Sequence, residues 1–295
     1  MTATPPIVTT LNALRAEMAE LSGNGLRTAL VPTMGALHEG HLSLVRLARE
    51  TADRTIVSIF VNPAQFAPGE DYEAYPRDIT RDTALLAEAG VDLIYVPPTD
   101  AMYEPDHSTR IVVGGVGDGL ETDHRPTFFH GVALVVAKLL NRVRPDMTVF
   151  GEKDYQQLAV IRRMVRDLDM PVDIVGAPIA RDAHGLALSS RNRYFDADGI
   201  TVARALNHAM FGAKDALESG GDIAAILENA RQELTDRGFD SVDYVSLADA
   251  ETLQPHPSGP LPPRPLRLLI AAHCRGVRLI DNCAVQPPAL PGTPS

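Results

Sequence analysis

The amino-acid sequence predicts an α/β protein, in which a parallel sheet with helices on both faces is followed by a smaller α+β domain. In the first half, short β-branched apolar runs alternate with segments of helical period, which is typical of β-α-β units. After about residue 180, two helical segments precede three strand-like runs. We therefore expect a Rossmann-like domain at residues 1–180, a second domain at 181–284 and a disordered, proline-rich tail at 285–295.

Each predicted element rests on composition and hydrophobic period. In the first domain the strand-like runs are 28–31, 55–61, 92–96, 110–113, 148–150 and 172–175. The helical segments between them include 41–50, 81–89, 131–142 and 155–168. In the second domain we expect helices at 203–219 and 222–237, and strands at 242–247, 266–272 and 277–281. Open parallel sheets bind ligands at the carboxyl ends of their strands, so the segments just after strands are the candidate sites.

Composition narrows the class of protein. The chain has 295 residues, of which 45% are hydrophobic and 22% charged, as is ordinary for a globular protein. No apolar run approaches the roughly 18 residues that span a membrane, and no basic region followed by an apolar one marks a secretory signal. A net charge of −11 argues against a nucleic-acid partner. Two cysteines make no disulfide framework, so we expect a cytoplasmic protein.

The segment 32–41, PTMGALHEGH, lies between a predicted strand and a predicted helix. Gly35 allows a tight turn, and Gly40 allows close backbone approach at the helix start, where unpaired N–H groups attract anions. His38 and His41 are three residues apart, which places both rings on one side of the first helical turn. Two imidazoles there suit a polyphosphate. A bare H-x-x-H is more often one surface and one packing histidine, and the segment does not match the H-E-x-x-H zinc pattern.

Three further segments place polar side chains after predicted strands or in loops, at 58–66, 149–158 and 186–195. The amide side chains in these segments can hydrogen-bond to a polar substrate. The lysine and the arginine can bind phosphate, and the aspartate can accept hydrogen bonds from ribose hydroxyls. Taken singly, each segment also fits ordinary turn or solvated-loop chemistry. The candidate residues are, in chain order, Gln65, Gly151, Lys153, Asp154, Gln157, Ser189, Ser190 and Arg191.

Five segments carry a family resemblance, in this order along the chain: PTMGALHEGH, IFVNPAQF, YPRD, FGEKDYQQL and LSSRNRY. Together, over roughly residues 25–283, they closely resemble the pantoate–β-alanine ligase family of the nucleotidylyltransferase superfamily. H-x-G-H alone is shared across the superfamily, whereas the five together are specific. The resemblance implies an ATP- and Mg²⁺-dependent condensation of pantoate with β-alanine, which forms AMP and pyrophosphate through a pantoyl adenylate.

The resemblance also implies roles for individual residues. No covalent enzyme intermediate is implied, so catalysis is expected from positioning and charge stabilisation. The implied catalytic set is His38, His41, Lys153, Ser189, Ser190 and Arg191. The implied pantoate-binding set is Pro32, Met34, Gln65 and Gln157. The implied ATP-binding set is Met34, His41, Gly151, Lys153, Asp154, Ala180, Leu188, Ser189, Ser190 and Arg191, and Asp82 is the candidate carboxylate for the Mg²⁺ region.

Two positions depart from the family pattern. Where the family has R-P-x-H-F-x-G, this chain reads RPTFFHG, so Phe128 replaces the histidine and His130 follows two residues later. Leu188 stands where the family often has methionine. The first departure keeps open a relative that acts on another hydroxy acid. The sequence also allows a nucleotidylyltransferase that stops at an adenylylated product, and a catalytically silent ATP-binding regulator. The intact histidines, Lys153 and Arg191 argue against the silent regulator.

The resemblance further implies a homodimer. The segment 131–140, GVALVVAKLL, offers one independent hint, because it is apolar almost all round with Lys138 as its only charge. A helix with so little polar surface is either wholly internal or half buried in a partner.

Overall fold

The computed structural model describes residues 4–66, 69 and 72–286, and it divides the chain into two compact units. The first unit contains the chain up to residue 152 together with residues 156–180. The second contains residues 153–155 and the chain from residue 181 onward. The sequence predicted one boundary at residue 180, whereas the short segment 153–155 belongs with the second unit.

A six-stranded parallel sheet forms the first unit. Its strands are β1 (Ile7–Val8), β2 (Thr28–Thr33), β3 (Arg54–Ile59), β4 (Leu93–Tyr95), β5 (Met147–Gly151) and β6 (Asp173–Ala177), in the spatial order β1-β4-β3-β2-β5-β6. The helices along this part of the chain are α1 (Leu11–Leu21), α2 (Glu39–Thr51), α3 (Ile79–Glu88), α4 (Thr99–Met102), α5 (Glu121–His124), α6 (Phe128–Val143) and α7 (Tyr155–Asp167).

Both faces of this sheet are covered. Ala29 and Val31 in β2 pack in one hydrophobic cluster with Leu44 and Val45 of α2. Leu30 lies between them, so its side chain points to the opposite face, and it is also fully buried. The near-continuous apolar strands therefore reflect burial on two sides, and the predicted parallel α/β architecture is confirmed.

One predicted strand of the first unit is wrong. Residues 110–113 carry no regular secondary structure, and Val112 is 68% exposed. Their β-branched composition favours extended backbone, but a strand also needs a neighbour to pair with, which composition does not supply. Conversely, the two-residue β1 and the helix α1 were not predicted. The first is too short to show a period.

Most of helix α6 is buried inside the first unit. Eleven of its sixteen residues are buried within this single chain, including Val132, Ala133 and Leu140. The apolar segment 131–140 therefore needs no partner subunit to cover it. None of the helices in the described parts of the chain combines the length and apolar character that crossing a membrane requires.

The second unit is built on an antiparallel sheet, in the order β7-β8-β9. Its elements are α8 (Ala197–Ala203), α9 (Ala205–Glu218), α10 (Ile223–Asp236), β7 (Ser241–Asp249), β8 (Leu266–Cys274) and β9 (Val277–Val285). The helix predicted at 203–219 begins earlier and is divided at Arg204. The disordered tail was predicted to begin at residue 285, but Val285 is a fully buried strand residue. Residues 287–295 lie outside the described part of the chain.

We expect both cysteines to be unreactive in the folded protein. Cys274 and Cys283 are free thiols buried in the second unit. Burial raises the pKa of Cys283 to about 12, with a further rise from the charge of Asp281, and burial also raises the pKa of Cys274. A thiol reagent reacts with the thiolate form, so native protein at pH 8 should show almost no reaction with a chromogenic disulfide. Protein unfolded in guanidinium should titrate two thiols, and a fast two-thiol reaction of native protein would contradict this burial.

Candidate active site

The strand order reverses between β2 and β5. From β2 the chain continues through α2 to β3 on one side, whereas from β5 it continues through α7 to β6 on the other. In open parallel sheets, ligands bind outside the carboxyl ends of the strands at such a switch point. β2 ends at Thr33 and β5 at Gly151. The candidate segments 32–41 and 149–158 therefore leave the sheet at its switch point.

The loop after β2 turns sharply and then begins α2. Gly35 and Ala36 both have left-handed backbone conformations, with φ angles of 81° and 50°. Glycine adopts this region easily, whereas alanine does so only when its surroundings hold it there. His38 follows in an extended conformation as the N-cap of α2, where its Nδ1 accepts the N–H of Gly40 at 3.1 Å. The first histidine therefore helps to define where the helix begins.

His38 and His41, predicted to share one side of the helix start, lie together. Their ring centroids are 4.2 Å apart, and Nδ1 of His41 accepts the main-chain N–H of His38 at 3.4 Å. Because Nδ1 of each ring accepts a hydrogen bond, each neutral imidazole carries its proton on Nε2. The pair thus supplies two Nε2–H donors at a helix N-terminus. This arrangement suits an anion such as a phosphate.

Asp82, the candidate carboxylate for the Mg²⁺ region, faces the backbone. It lies in the first turn of α3 and is 1% exposed. The N–H groups of Ala36 and Leu37 donate to its Oδ2 and Oδ1 atoms, each at 2.9 Å. Burial raises the pKa of this carboxyl, and the two main-chain hydrogen bonds partly oppose the rise. Both oxygens are engaged away from solvent, which does not fit a ligand for a hydrated Mg²⁺ ion.

The described residues offer no ready-made metal site elsewhere. In the chain from residue 4 to 286, apart from the undescribed positions, no group of three or more His, Cys, Asp or Glu side chains is placed to hold a metal ion. Mg²⁺ bound through phosphate oxygens and water needs no such group, because it prefers those ligands to an all-protein cage.

Gln65 ends a short 3₁₀ helix after β3, Pro63–Gln65, and its amide is oriented by neighbours. Nδ2 of Asn62 donates to Oε1 of Gln65 at 3.0 Å, so the Nε2 donor of Gln65 points away from Asn62. The hydroxyl of Tyr103 donates to Oδ1 of Asn62 at 2.7 Å. Burial raises the pKa of Tyr103 to about 12, so this hydroxyl stays protonated and remains a donor. The hydrogen bonds Tyr103–Asn62–Gln65 therefore fix which end of the Gln65 amide faces Asn62, and the –NH₂ group is the donor that the predicted pantoate contact would use.

The residue that departs from the family pattern, Phe128, has a defined contact. The Arg125 guanidinium carbon lies 3.8 Å from the centroid of the Phe128 ring, and such a cation–π contact is worth roughly 0.5–2 kcal/mol. Nη2 of Arg125 donates to the main-chain carbonyl of Gln65 at 2.9 Å. Phe128 thus supports the arginine that fixes the turn carrying Gln65. His130 is the third residue of the same helix.

Three predicted pantoate ligands remain partly exposed in the first unit, namely Pro32, Met34 and Gln157. Pro32 lies near the end of β2, and Met34 follows directly after that strand. Gln157 is in the first turn of α7. Its neighbour Gln156 is 3% exposed and bonds to main-chain groups of the segment 116–121. Of the two adjacent glutamines, Gln157 is therefore the one available to a ligand.

The backbone that carries Lys153 is held by the second unit. Nδ2 of Asn282 in β9 donates to the carbonyl of Lys153 at 2.9 Å, and Nε of Arg267 donates to Oδ1 of Asn282 at 2.6 Å. The Arg267 guanidinium lies 4.1 Å from the ring centroid of Tyr155. The short segment with Lys153 and Asp154 is therefore fixed to the antiparallel sheet.

The predicted phosphate clamp forms one tight turn. Ser189 is the N-cap of a 3₁₀ helix, Ser190–Tyr194, and its Oγ accepts the N–H of Arg191 at 3.3 Å. Asn192 braces the turn, because its Nδ2 donates to a main-chain carbonyl at 3.0 Å. Leu188 directly precedes the turn. Ser189, Ser190 and Arg191 therefore lie together at the N-terminal end of one short 3₁₀ helix in the second unit. Ala180, which the resemblance places in the ATP-binding set, is the last residue of the first unit.

Sequence reasoning missed the supporting residues. Tyr103 acts on Asn62 from 41 positions away, and no local pattern signals such a contact. Asn282 is signalled by the sequence, because it stands beside Asp281 between the apolar segments 279–280 and 283–285 of β9, and both are 2% exposed. A buried polar pair within a strand needs partners and marks a structural or functional contact.

Comparison with known proteins identifies the family. The model of the family described as pantoate–β-alanine ligase matches residues 6–284. The pantothenate synthetase of Mesorhizobium japonicum is 52% identical over 281 residues, covering 95% of this chain and 98% of that protein. The pantothenate synthetase of Sphingopyxis alaskensis is 52% identical over 279 residues, covering 95% of this chain and 99% of that protein.

Solved structures agree with this assignment. Pantothenate synthetase from Thermus thermophilus has a TM-score of 0.88 and 43% identity, and the match covers 95% of this chain and 99% of that one. The pantoate–β-alanine ligase from Francisella tularensis, complexed with β,γ-ATP and β-alanine, has a TM-score of 0.79 and 31% identity, covering 95% and 97% of the two chains. The chain therefore belongs to the pantoate–β-alanine ligase family.

Proposed function

We propose that this protein is an AMP-forming ligase that joins pantoate to β-alanine with ATP and makes pantothenate, AMP and pyrophosphate. The observation that carries the proposal is the pair of Nε2–H donors of His38 and His41 at the switch point of the sheet, in a chain that belongs to this family. The Francisella relative, which was crystallised with an ATP species and β-alanine, supports the same substrates.

The first step forms pantoyl adenylate. A pantoate carboxylate oxygen bonds to the α-phosphorus of ATP while the bond from that phosphorus to the bridging oxygen breaks, and pyrophosphate leaves. The –NH₂ group of Gln65, with Gln157, Pro32 and Met34, holds pantoate. Charge that develops on the phosphates is met by the two histidines and by a second set of donors, Lys153, Ser189, Ser190 and Arg191. Such positioned donors stabilise the transition state without covalent chemistry.

The second step forms the amide. The β-alanine amine attacks the carbonyl carbon of the mixed anhydride, the bond from that carbon to the AMP oxygen breaks, and the amine loses its proton. Gly151 and Asp154 contact the ribose, and Ala180 and Leu188 complete the nucleotide site. Mg²⁺ enters with ATP as part of the substrate, held by phosphate oxygens and water, so no protein carboxylate is assigned to it.

One assay tests the ligase reaction against the two competing activities. Purified protein is incubated with ATP, Mg²⁺, pantoate and β-alanine, and pantothenate, AMP and pyrophosphate are measured. Equal amounts of all three support the ligase. Pyrophosphate without amine-dependent AMP indicates a nucleotidylyltransferase, and no turnover at all indicates the silent regulator.

A substrate series tests the departure at Phe128. Pantoate is compared with other short hydroxy acids at fixed ATP and β-alanine. Because Phe128 acts through Arg125 on the turn that carries Gln65, we expect pantoate to remain the preferred acid. A larger kcat/KM for another hydroxy acid would overturn that preference while leaving the reaction type intact.

The domain at 181–284 is proposed to act as a lid over the adenylate, because a mixed anhydride needs protection from water. The support is that the Ser189–Arg191 turn lies near the start of this domain. With ATP and pantoate but no β-alanine, we expect one rapid equivalent of pyrophosphate per site followed by slow release. Fast, continuous release without the amine would contradict a protected intermediate.

A homodimer and a cytoplasmic location complete the proposal. The dimer rests on the family resemblance, and the location rests on the two cysteines, which make no disulfide framework. The buried α6 helix no longer supports the dimer, because the chain itself covers it. Light scattering after size exclusion measures the mass against the 31.8 kDa chain. A single-chain mass with full activity would defeat the dimer.

A further inference from the structure

The buried carboxylate of Asp82 is turned toward the loop that precedes the two histidines. It accepts the N–H of Ala36 on one oxygen and the N–H of Leu37 on the other, both at 2.9 Å. Two successive peptide groups are thereby bound by one side chain from α3. The neighbouring Arg81 adds a bond from its Nη1 to the carbonyl of Leu37 at 3.1 Å.

This loop needs external support to keep its shape. Ala36 has φ of 50°, a conformation that an L-residue with a Cβ atom leaves unless neighbouring groups hold it. Gly35 has no Cβ, and a Cβ there would lie 3.0 Å from Oδ2 of Asp82. The close approach of the carboxylate therefore favours glycine at position 35. The Asp82 oxygens supply the support at position 36, because they bind the N–H groups on either side of the Cα atom of the strained residue.

The fixed peptide groups lead directly into the candidate active site. Leu37 is joined to His38, which is the N-cap of α2 and whose main-chain N–H donates to the ring of His41. The direction in which the chain leaves Leu37 therefore decides where both imidazoles point. A displacement of about 1 Å at reacting groups can cost about 10²-fold in rate.

We propose that Asp82 is a positioning residue for adenylate formation, which it serves by holding the loop 35–37 so that the Nε2–H groups of His38 and His41 meet the phosphates of ATP. This inference rests on the proposed function. It replaces the Mg²⁺ role with one that uses both carboxylate oxygens and accounts for the burial of the side chain.

The test compares Asp82→Asn and Asp82→Ala with a control in the same helix. Asparagine keeps the shape of the aspartate side chain but has only one oxygen that can accept a main-chain N–H group. Its –NH₂ group faces the second main-chain N–H, so two donors oppose each other there. Alanine removes both acceptors without adding a donor. The control is Asp78→Ala, because exposed Asp78 caps α3 by accepting the N–H of Arg81 at 3.0 Å, a bond that stays within the helix start.

Three readouts separate positioning from stability alone: kcat and KM for pyrophosphate release, Tm, and the NMR signals of the histidine rings. We expect both Asp82 variants to lower kcat by about 10–100-fold with a smaller change in KM for ATP, and to shift the His38 and His41 ring signals. Asp78→Ala should lower Tm and leave kcat per folded molecule unchanged. An Asp82 variant with kcat within about twofold of wild type and a lowered Tm would overturn the proposal.

The ring signals keep the two proposals distinguishable. If His41→Ala turns over normally, the catalytic role of the histidine fails. A shift of both ring signals in Asp82→Asn would still show that Asp82 positions them. Unshifted ring signals in folded Asp82→Asn would overturn the positioning role, whatever the outcome for the histidine.

Discussion

Replacement of His41 by Ala is expected to lower the rate of pyrophosphate release by about 10²–10³-fold, the usual cost of losing one transition-state donor. The side chain supplies an Nε2–H group at the start of α2, next to that of His38. Its Nδ1 bond to the main chain is long, at 3.4 Å, so its loss should cost little stability. Pyrophosphate release and thermal unfolding by circular dichroism are measured on the same preparations.

Two further variants of His41 separate the roles of its two ring nitrogens, because each keeps a hydrogen-bonding group at the place of only one of them. His41→Asn retains an acceptor where Nδ1 lies but lacks the distant N–H group, so it should be nearly as slow as His41→Ala. His41→Gln places an N–H group where Nε2 lies and should recover part of the rate. The matched control is His208→Ala, an exposed histidine in α9, which should leave the rate unchanged. Near-normal turnover of His41→Ala would remove His41 from the active site.

Lys153→Ala tests the same reaction from the second unit. In the proposed mechanism Lys153 faces the phosphates and supplies a charge that water replaces poorly, so we expect a loss of similar size. The backbone at this position is held by Asn282 at 2.9 Å and does not depend on the lysine side chain. The variant should therefore fold with an unchanged Tm. A loss of rate matched by a loss of folded protein would contradict a direct role.

The sequence predicts the sheet well because burial on both faces leaves a strong signal. β2, β3 and β5 read as apolar, β-branched runs, and each is followed by a segment with polar or glycine residues. The strand order, however, depends on which runs pair. That information is absent from any single run, which is why 110–113 resembled a strand although the structure has none there.

The site was predictable where it depends on residues that are close in sequence, and unpredictable where it depends on residues that are distant in sequence. His38 and His41 follow from their spacing at a strand end. The direction of the Asp82 carboxylate does not, because a buried acid in a first helical turn gives no sign of whether a metal or a main-chain N–H group faces it. The hydroxyl of Tyr103, which orients Asn62 and through it Gln65, lies 41 positions from its partner.

Gly131→Ala is expected to lower both stability and pantoate binding, although alanine is normally the better helix former by about 1 kcal/mol. Gly131 is buried in α6, and a Cβ there would lie 2.0 Å from the carbonyl oxygen of Ala64 and 3.0 Å from the nitrogen of Gln65. These are backbone atoms of the turn that carries Gln65, so no side chain can swing away. Overpacking typically costs about 1–3 kcal/mol, occasionally more, and a backbone clash belongs at the upper end.

The matched control for this prediction is Gly212→Ala. Gly212 lies in α9 and is exposed, and a Cβ there would meet nothing within 4 Å. The same substitution should therefore raise Tm slightly at Gly212 and lower it at Gly131 by several degrees, since about 1 kcal/mol shifts Tm by ~2–4 °C in a chain of this size class. Displacement of Gln65 should also raise KM for pantoate more than KM for ATP in Gly131→Ala alone. Equal, small rises in Tm for both variants would show that α6 and the turn that carries Gln65 are not in close contact. The claim that α6 holds this turn in place would then be wrong.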